Sequence, residues 1–261
     1  MYSTNVLACL LILVVLAGCS DKPKPVAIKN ATPVVAPAVR LSPDGATATP
    51  DVKNTIELDY MRSGSYHASS KSIDPNALGG FGGSDNMPYK ITVDGAKQSG
   101  ECYLLAEPSI ATDFGNEKGM RLVLVNGTEE SAVFSACDSR LSIIQEAKDE
   151  SGEWKAIEYV QRSWCGNSYH NVMLPSKHFW KFSTPRYDGS FRTKLRFRLT
   201  VGSDQTLLVS NEFQGGINPR QFTEKQQHNP TNLMDPYEPV PPPTPLILDE
   251  ENELESTLTG E

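Results

Sequence analysis

The chain has 261 residues, with 24 Lys+Arg against 32 Asp+Glu and a formal net charge of −8. That balance excludes the basic footprint of a nucleic-acid-binding protein, and 38% hydrophobic residues exclude a polytopic membrane protein. The charge is polarised along the chain: Lys225 is the last cation, and the eight acids that follow it, from Asp235 to Glu261, equal the whole excess.

From Val6 to Leu16 the chain reads VLACLLILVVL without a charge, followed by Ala17, Gly18 and Cys19. The run is far short of the roughly 20 residues that span a bilayer, and it suits the apolar region of a signal peptide. Leu16-Ala17-Gly18-Cys19 resembles the bacterial lipobox, although residues 2–5 carry no Lys or Arg. The resemblance implies a signal peptide over residues 1–18, removed before Cys19, and a diacylglycerol thioether on the Cys19 thiol. It further implies palmitate or a similar acyl chain on the new amine and a mature protein held on the membrane by lipid, since two or more chains anchor stably where one does not. Ser20 in place of Asp at the next position resembles lipoproteins forwarded to the outer membrane, so a bacterial cell envelope is the expected location.

Residues 19–54 hold six prolines, from Pro23 to Pro50, among Lys, Ala, Val and Thr, and read as a disordered, semi-extended tether. Residues 55–228 are expected to be the folded β region. Between Tyr89 and Phe213 apolar residues recur with period 2 in short runs, and no long stretch has the i, i+3, i+4, i+7 spacing of an amphipathic helix. The expected class is all-β. Candidate strands are Tyr89–Val93, Glu101–Glu107, Met120–Asn126, Ala132–Cys137, Leu141–Lys148, Glu153–Val160, Asn171–Leu174, Phe179–Thr184, Phe191–Val201 and Thr206–Phe213. Asn126-Gly127, Asp188-Gly189 and Gly202-Ser203-Asp204 supply turn chemistry, and Asp149-Glu150-Ser151-Gly152 predicts a hairpin.

Leu122 to Thr128 with Val133 and Phe134, the turn Asp149 to Gly152 followed by Trp154, and Leu174-Pro175 followed by Tyr187 to Phe191 together resemble immunoglobulin-like domains of bacterial surface proteins. The resemblance covers about 100 residues and implies a two-sheet antiparallel sandwich with its core at about 101–213. Such domains serve adhesion, scaffolding, carbohydrate binding and proteinase inhibition, so the fold does not fix the function.

Once Cys9 leaves with the signal peptide and Cys19 is lipidated, Cys102, Cys137 and Cys165 remain in an oxidising compartment, and three pairings are open. Cys137–Cys165 is the favoured disulfide because both sit where strands end; it would close a loop of about 28 residues and stabilise by about 3 kcal/mol.

Ser163-Trp164-Cys165-Gly166-Asn167-Ser168-Tyr169-His170 is the densest polar and aromatic segment. It superficially resembles the nucleophile segment of papain-type proteases, but Ser168 stands where the catalytic thiol belongs. Trp164, Tyr169 and His170 are candidate binding residues; the competing reading is a structural loop covering the end of the core. A Cys165/His170 nucleophile pair has the spacing but no orienting acid in the segment. A zinc site of Cys165, His170 and His178 lacks both Cys-x-x-Cys and His-Glu-x-x-His spacing. No catalytic residue, metal or cofactor is therefore assigned. Trp154, Trp164 and Trp180 read either as a sugar-stacking platform or as packing, and Gly79-Gly80-Phe81-Gly82-Gly83 as a flexible linker without phosphate-binding context.

In Phe191–Val201 the apolar residues alternate with Arg192, Lys194, Arg196 and Arg198. Alternate residues share a face about 7 Å apart, so this strand presents a basic stripe. It could meet an anionic glycan or an acidic partner, or it could pair across strands with acids such as Glu146, Glu153, Glu158 or Glu212. Residues 229–261 hold the run Pro-Tyr-Glu-Pro-Val-Pro-Pro-Pro-Thr-Pro and then Asp249 to Glu255, and read as a disordered, acidic, polyproline tail or a docking arm.

The expected function is a non-enzymatic envelope lipoprotein that binds or scaffolds a protein or glycan partner, with no nucleic acid. The alternative is a hydrolase or a proteinase-inhibitor-like regulator built on the same sandwich.

Overall fold

The computed structural model describes residues 55–71, 74, 77, 79–92, 100–201, 206–226 and 235–237. The signal peptide, Cys19, the tether and most of the tail lie outside these residues. The described part is nearly all β, with no α-helix and two short 3-10 turns, Gly166–Ser168 and Pro219–Phe222. Its strands in chain order are β1 (Ile56–Glu57), β2 (Arg62–Ser63), β3 (Tyr89–Lys90), β4 (Cys102–Phe114), β5 (Glu117–Asn126), β6 (Ala132–Cys137), β7 (Arg140–Leu141) and β8 (Ile143–Lys148). There follow β9 (Trp154–Ala156), β10 (Glu158–Tyr159), β11 (Tyr169–Leu174), β12 (His178–Pro185), β13 (Tyr187–Asp188), β14 (Phe191–Val201), β15 (Thr206–Val209) and β16 (Phe213–Ile217).

Three antiparallel sheets are formed, ordered β3-β12-β5-β4, β11-β6-β7 and β15-β14-β8-β9, with β16 also pairing with β14. Only Ser142 separates β7 from β8, so the chain passes from the second sheet into the third within one residue. The alternation read from sequence decides which side chains turn inward. Leu104, Leu122, Leu124, Trp180 and Phe182 from the first sheet meet Phe134, Val172 and Leu174 from the second and Ile143, Phe197 and Leu199 from the third in one buried cluster. Removing each such side chain from water stabilises by about 1.5–3 kcal/mol. Trp180 is fully buried and its indole N–H donates to the Ser69 carbonyl at 3.0 Å, so this tryptophan is packing and not a sugar platform.

Several boundaries differ from the period-2 expectation, each for a local reason. Strand β4 runs on past Pro108 to Phe114, because a register shift between Glu107 and Ala111 takes the proline, which has no N–H, out of the ladder with β5. The expected strand Thr206–Phe213 is split in two at Ser210–Glu212. There the Asn211 side chain donates to the Ala106 carbonyl (3.1 Å) and accepts from its N–H (2.8 Å), tying the kink to β4. The hairpin joining β8 to β9 forms as expected: Asp149 Oδ1 accepts from the N–H groups of Ser151 and Glu153, and Gly152 takes the φ of 85° that a side chain would resist. At Asp188-Gly189 the requirement is space, since a Cβ on Gly189 would run into the backbone of Ile217 and Asn218.

The segment 55–71 shows no alternation, yet it is threaded through the domain. Ile56 pairs in parallel with Tyr187 and Arg62 with Glu158. Tyr66 and Ala68 reach the core, where Tyr66 meets Phe182 and Phe197 edge-on at 6.0 and 6.1 Å.

Candidate functional site

The loop from Ser163 leads into β11 and is fastened at both ends. The Tyr169 hydroxyl donates to the Ser163 carbonyl (2.7 Å), the Ser168 hydroxyl bonds the Ser163 hydroxyl (2.9 Å), and the Ser163 oxygen also accepts the Cys165 N–H (3.1 Å). The Asp138 N–H donates to the Ser168 carbonyl, joining the loop to the end of β6. Trp164 projects from this framework with 78% of its surface in solvent, the most exposed large apolar residue described. Tyr169 is half-buried and its hydroxyl pKa is raised by burial.

The loop's chemistry-bearing residues part company. Cys165 is exposed and Cys137 is buried; together with buried Cys102 they are free thiols, so the expected Cys137–Cys165 disulfide is not made in this structure. Burial raises the Cys137 thiol pKa and pushes that of Cys102 up to about 12, which removes Cys102 as a nucleophile at neutral pH. His170 is turned inward, as its place in β11 requires: His170, Val172 and Leu174 are the buried alternation, while Tyr169, Asn171 and Met173 are not fully buried. The signal was in the sequence, since i, i+2, i+4 from Leu174 leads back to this histidine.

Burial lowers the His170 pKa, and its Nε2 accepts the Ser139 N–H at 2.9 Å, so that nitrogen's lone pair is occupied. Cys165 and His170 therefore do not make a nucleophile–base pair. Ser139, which no motif marked, lies with its Oγ 3.5 Å from the same nitrogen, but that hydroxyl donates to the Gly82 carbonyl at 2.8 Å. These contacts close the glycine-rich segment onto the sheet end. Phe81 stacks on the His170 ring at 3.7 Å, and the Gly82 N–H donates to Asp138 Oδ1 at 3.0 Å. His170 and Ser139, with Asp138, form a latch that holds this segment at Phe81 and Gly82.

The basic strand β14 presents the four cations on one face, and each has an acid. Arg192 pairs with Asp188, and Lys194 with Glu212 at 2.8 Å. Arg196 (2.7 Å) and Arg198 (3.5 Å) share Glu146 of β8, whose side chain is 1% exposed. The Arg196 guanidinium also lies over the Trp154 ring at 4.1 Å. Pairing with Glu146 in β8 and Glu212 in the β15–β16 connection, two of the expected candidates, engages Lys194, Arg196 and Arg198, whereas Arg192 pairs with Asp188 four residues earlier, which was not among them.

Among the described residues no group of three or more His, Cys, Asp or Glu could hold a metal ion. A cavity of about 160 Å3 lined by Pro108, Met120, Arg186, Tyr187, Leu195 and Phe213 is smaller than the ~300 Å3 at which small-molecule pockets begin. No helix described is long and apolar enough to cross a membrane. Comparison of the chain with protein-family models, with curated proteins and with solved structures finds no match.

Proposed function

We propose that this protein is a lipoprotein of the bacterial envelope, anchored through Cys19, whose all-β domain is a non-catalytic binding or scaffolding module of immunoglobulin-like type. The observation that carries the binding role is Trp164, 78% exposed on a loop fastened by Tyr169, Ser168 and Cys165. A rigid exposed tryptophan loses little conformational entropy on contact and dominates many interfaces. Three acids pair with the four cations of β14 and leave only one positive charge in excess, which favours a protein or neutral glycan surface met by the indole over an anionic glycan.

Two measurements test this reading. Labelled palmitate should enter the wild-type chain and not Cys19→Ser; incorporation into neither removes the anchor. The full chain and Trp164→Ala are then compared on a panel of envelope glycans and peptidases, with a loss of at least tenfold in affinity expected for the variant. A panel ligand held equally by both proteins overturns the role of Trp164, and a stoichiometric peptidase partner redirects the reading to inhibition.

A further inference from the structure

Tyr237 belongs to the acidic proline-rich tail, yet it is seated on the third sheet. Its hydroxyl accepts the Ala156 N–H at 2.7 Å, and the Arg198 guanidinium lies over its ring at 4.7 Å. Strand β9, which carries Ala156, is the edge of that sheet and pairs only with β8. An edge N–H is a donor open to any incoming segment, and here it is satisfied by a phenol 81 residues away in the chain. The seat is built as well as filled. Glu146 is buried between Arg196 and Arg198, with the Trp154 indole on one arginine and the Tyr237 phenol on the other. Burial, with the charge of Glu146, raises the Tyr237 hydroxyl pKa and keeps it neutral.

The segment that brings the ring is itself shaped for delivery. The Tyr237 N–H donates to Asp235 Oδ1 at 2.8 Å, closing a turn around Pro236, and Pro239 follows two residues on. Flanking prolines restrict the free segment, so less freedom is lost on docking. We propose that the β9 edge at Ala156, together with Arg198, is a peptide socket that reads a tyrosine set between prolines, and that the chain's own Asp235–Tyr237 is its resident ligand. The socket is independent of Trp164 and of the anchor.

A ligand tethered in cis has an effective concentration in the millimolar range, so the same peptide supplied in trans competes poorly while the tail is intact. Full-length Tyr237→Ala vacates the socket. A nine-residue peptide spanning Asn232–Val240 should bind it saturably, and at least tenfold more weakly to the wild-type chain. Peptide carrying Ala at the tyrosine position should not bind. In the same proteins, hydrogen exchange at the Ala156 amide should be at least tenfold faster in Tyr237→Ala than in wild type, with Tyr237→Phe, which keeps the ring but loses the acceptor, also faster. Arg198→Lys introduced into Tyr237→Ala keeps the charge without the planar guanidinium and should weaken the peptide. Failure of the peptide to bind Tyr237→Ala overturns the socket. Equal binding to both chains, or unchanged exchange at Ala156, overturns its occupation by the tail.

Discussion

Glu146 and Glu158 are both buried carboxylates, and the protein treats them in opposite ways. Glu146, on β8, is met by two guanidinium groups, each 21% exposed, so its partners keep contact with water. Glu158, on β10, is met by neutral donors alone in its immediate shell: the Tyr66 hydroxyl (2.6 Å) and the Gln145 N–H (3.0 Å) at Oε2, and the Tyr187 hydroxyl (2.7 Å) at Oε1. Burial raises its pKa against the pull of those three donors, and both tyrosines are pushed well above their ordinary range by burial and by the carboxylate they hold. The contrast separates two jobs. Glu146 offsets charge on a basic strand face. Glu158 joins four separate segments, since Tyr66 comes from the N-terminal arm, Gln145 from β8 and Tyr187 from β13.

The strongest way to break that distinction is to remove the keystone. Glu158→Ala leaves two buried hydroxyls and one backbone N–H without an acceptor, and unsatisfied buried donors cost about 1–3 kcal/mol each. With some relaxation, a loss of about 3–5 kcal/mol is expected in urea denaturation of the full chain. Glu158→Gln keeps one acceptor oxygen and should lose about 1–2 kcal/mol. A cost below 1 kcal/mol for the alanine variant would mean that the cluster is not what holds the arm to the sheet.

Glu146→Ala is the matched test, and a smaller effect is expected. Its arginines can turn to solvent and keep their aromatic contacts with Trp154 and Tyr237, so the cost of a broken buried pair is discounted to about 1–2 kcal/mol. A loss equal to that of Glu158→Ala would erase the difference between the two sites. Exchange at Ala156, read in the same variant, reports whether Tyr237 stays seated when its arginine loses the acid beneath it.

The same contrast explains what could be read from sequence. Strand β14 was legible to the residue because its alternation is unbroken, β6 because its alternation holds from Ala132 to Ala136 and ends at Cys137, and the β8–β9 hairpin because Asp149 and Gly152 are the residues its turn demands. Glu158 was visible only as one of several acids that might pair with the basic stripe, for its partners lie 92 and 29 residues away and are tyrosines, which no charge pattern announces. The N-terminal arm falls inside the expected folded region 55–228, but no strand could be read in it for a related reason: Ile56 and Arg62 join two-residue parallel pairs, too short to display a period. In the Trp164 loop the sequence marks the right residues, and its period sorts them only once the strand is carried back from Leu174 to Tyr169. Inward His170 and outward Trp164 are distinguished by where β11 begins, and that boundary was placed at Asn171, two residues late.

The finest test concerns pH, where the Glu158 cluster and the His170 latch pull against each other. For Glu158 the folded-state pKa lies above the ordinary 4.5, so from 4.5 upward the native state binds more protons than the unfolded chain and stability falls as pH rises through that window. For His170 the folded pKa lies below the ordinary 6.5 through burial, and for His67 likewise through burial and the neighbouring Arg140. There the unfolded chain binds more protons, so stability is present above 6.5 and is lost as pH falls through the window beneath it. Asp74 and Asp138, which face His170, temper its shift without reversing it. Between pH 4.5 and 6.5 the two contributions oppose, and the wild-type profile should be flatter than either alone. Glu158→Gln deletes the falling component, so its stability should rise with pH across this interval more steeply than that of wild type. Protonation of His170 at Nε2 also breaks the bond from the Ser139 N–H, so the Phe81 ring should leave the imidazole as the pH falls, read as loss of ring-current shifts in the Phe81 resonances. Parallel profiles for Glu158→Gln and wild type would show that the carboxyl does not titrate in this window, and the raised pKa that burial gives Glu158 would be overturned.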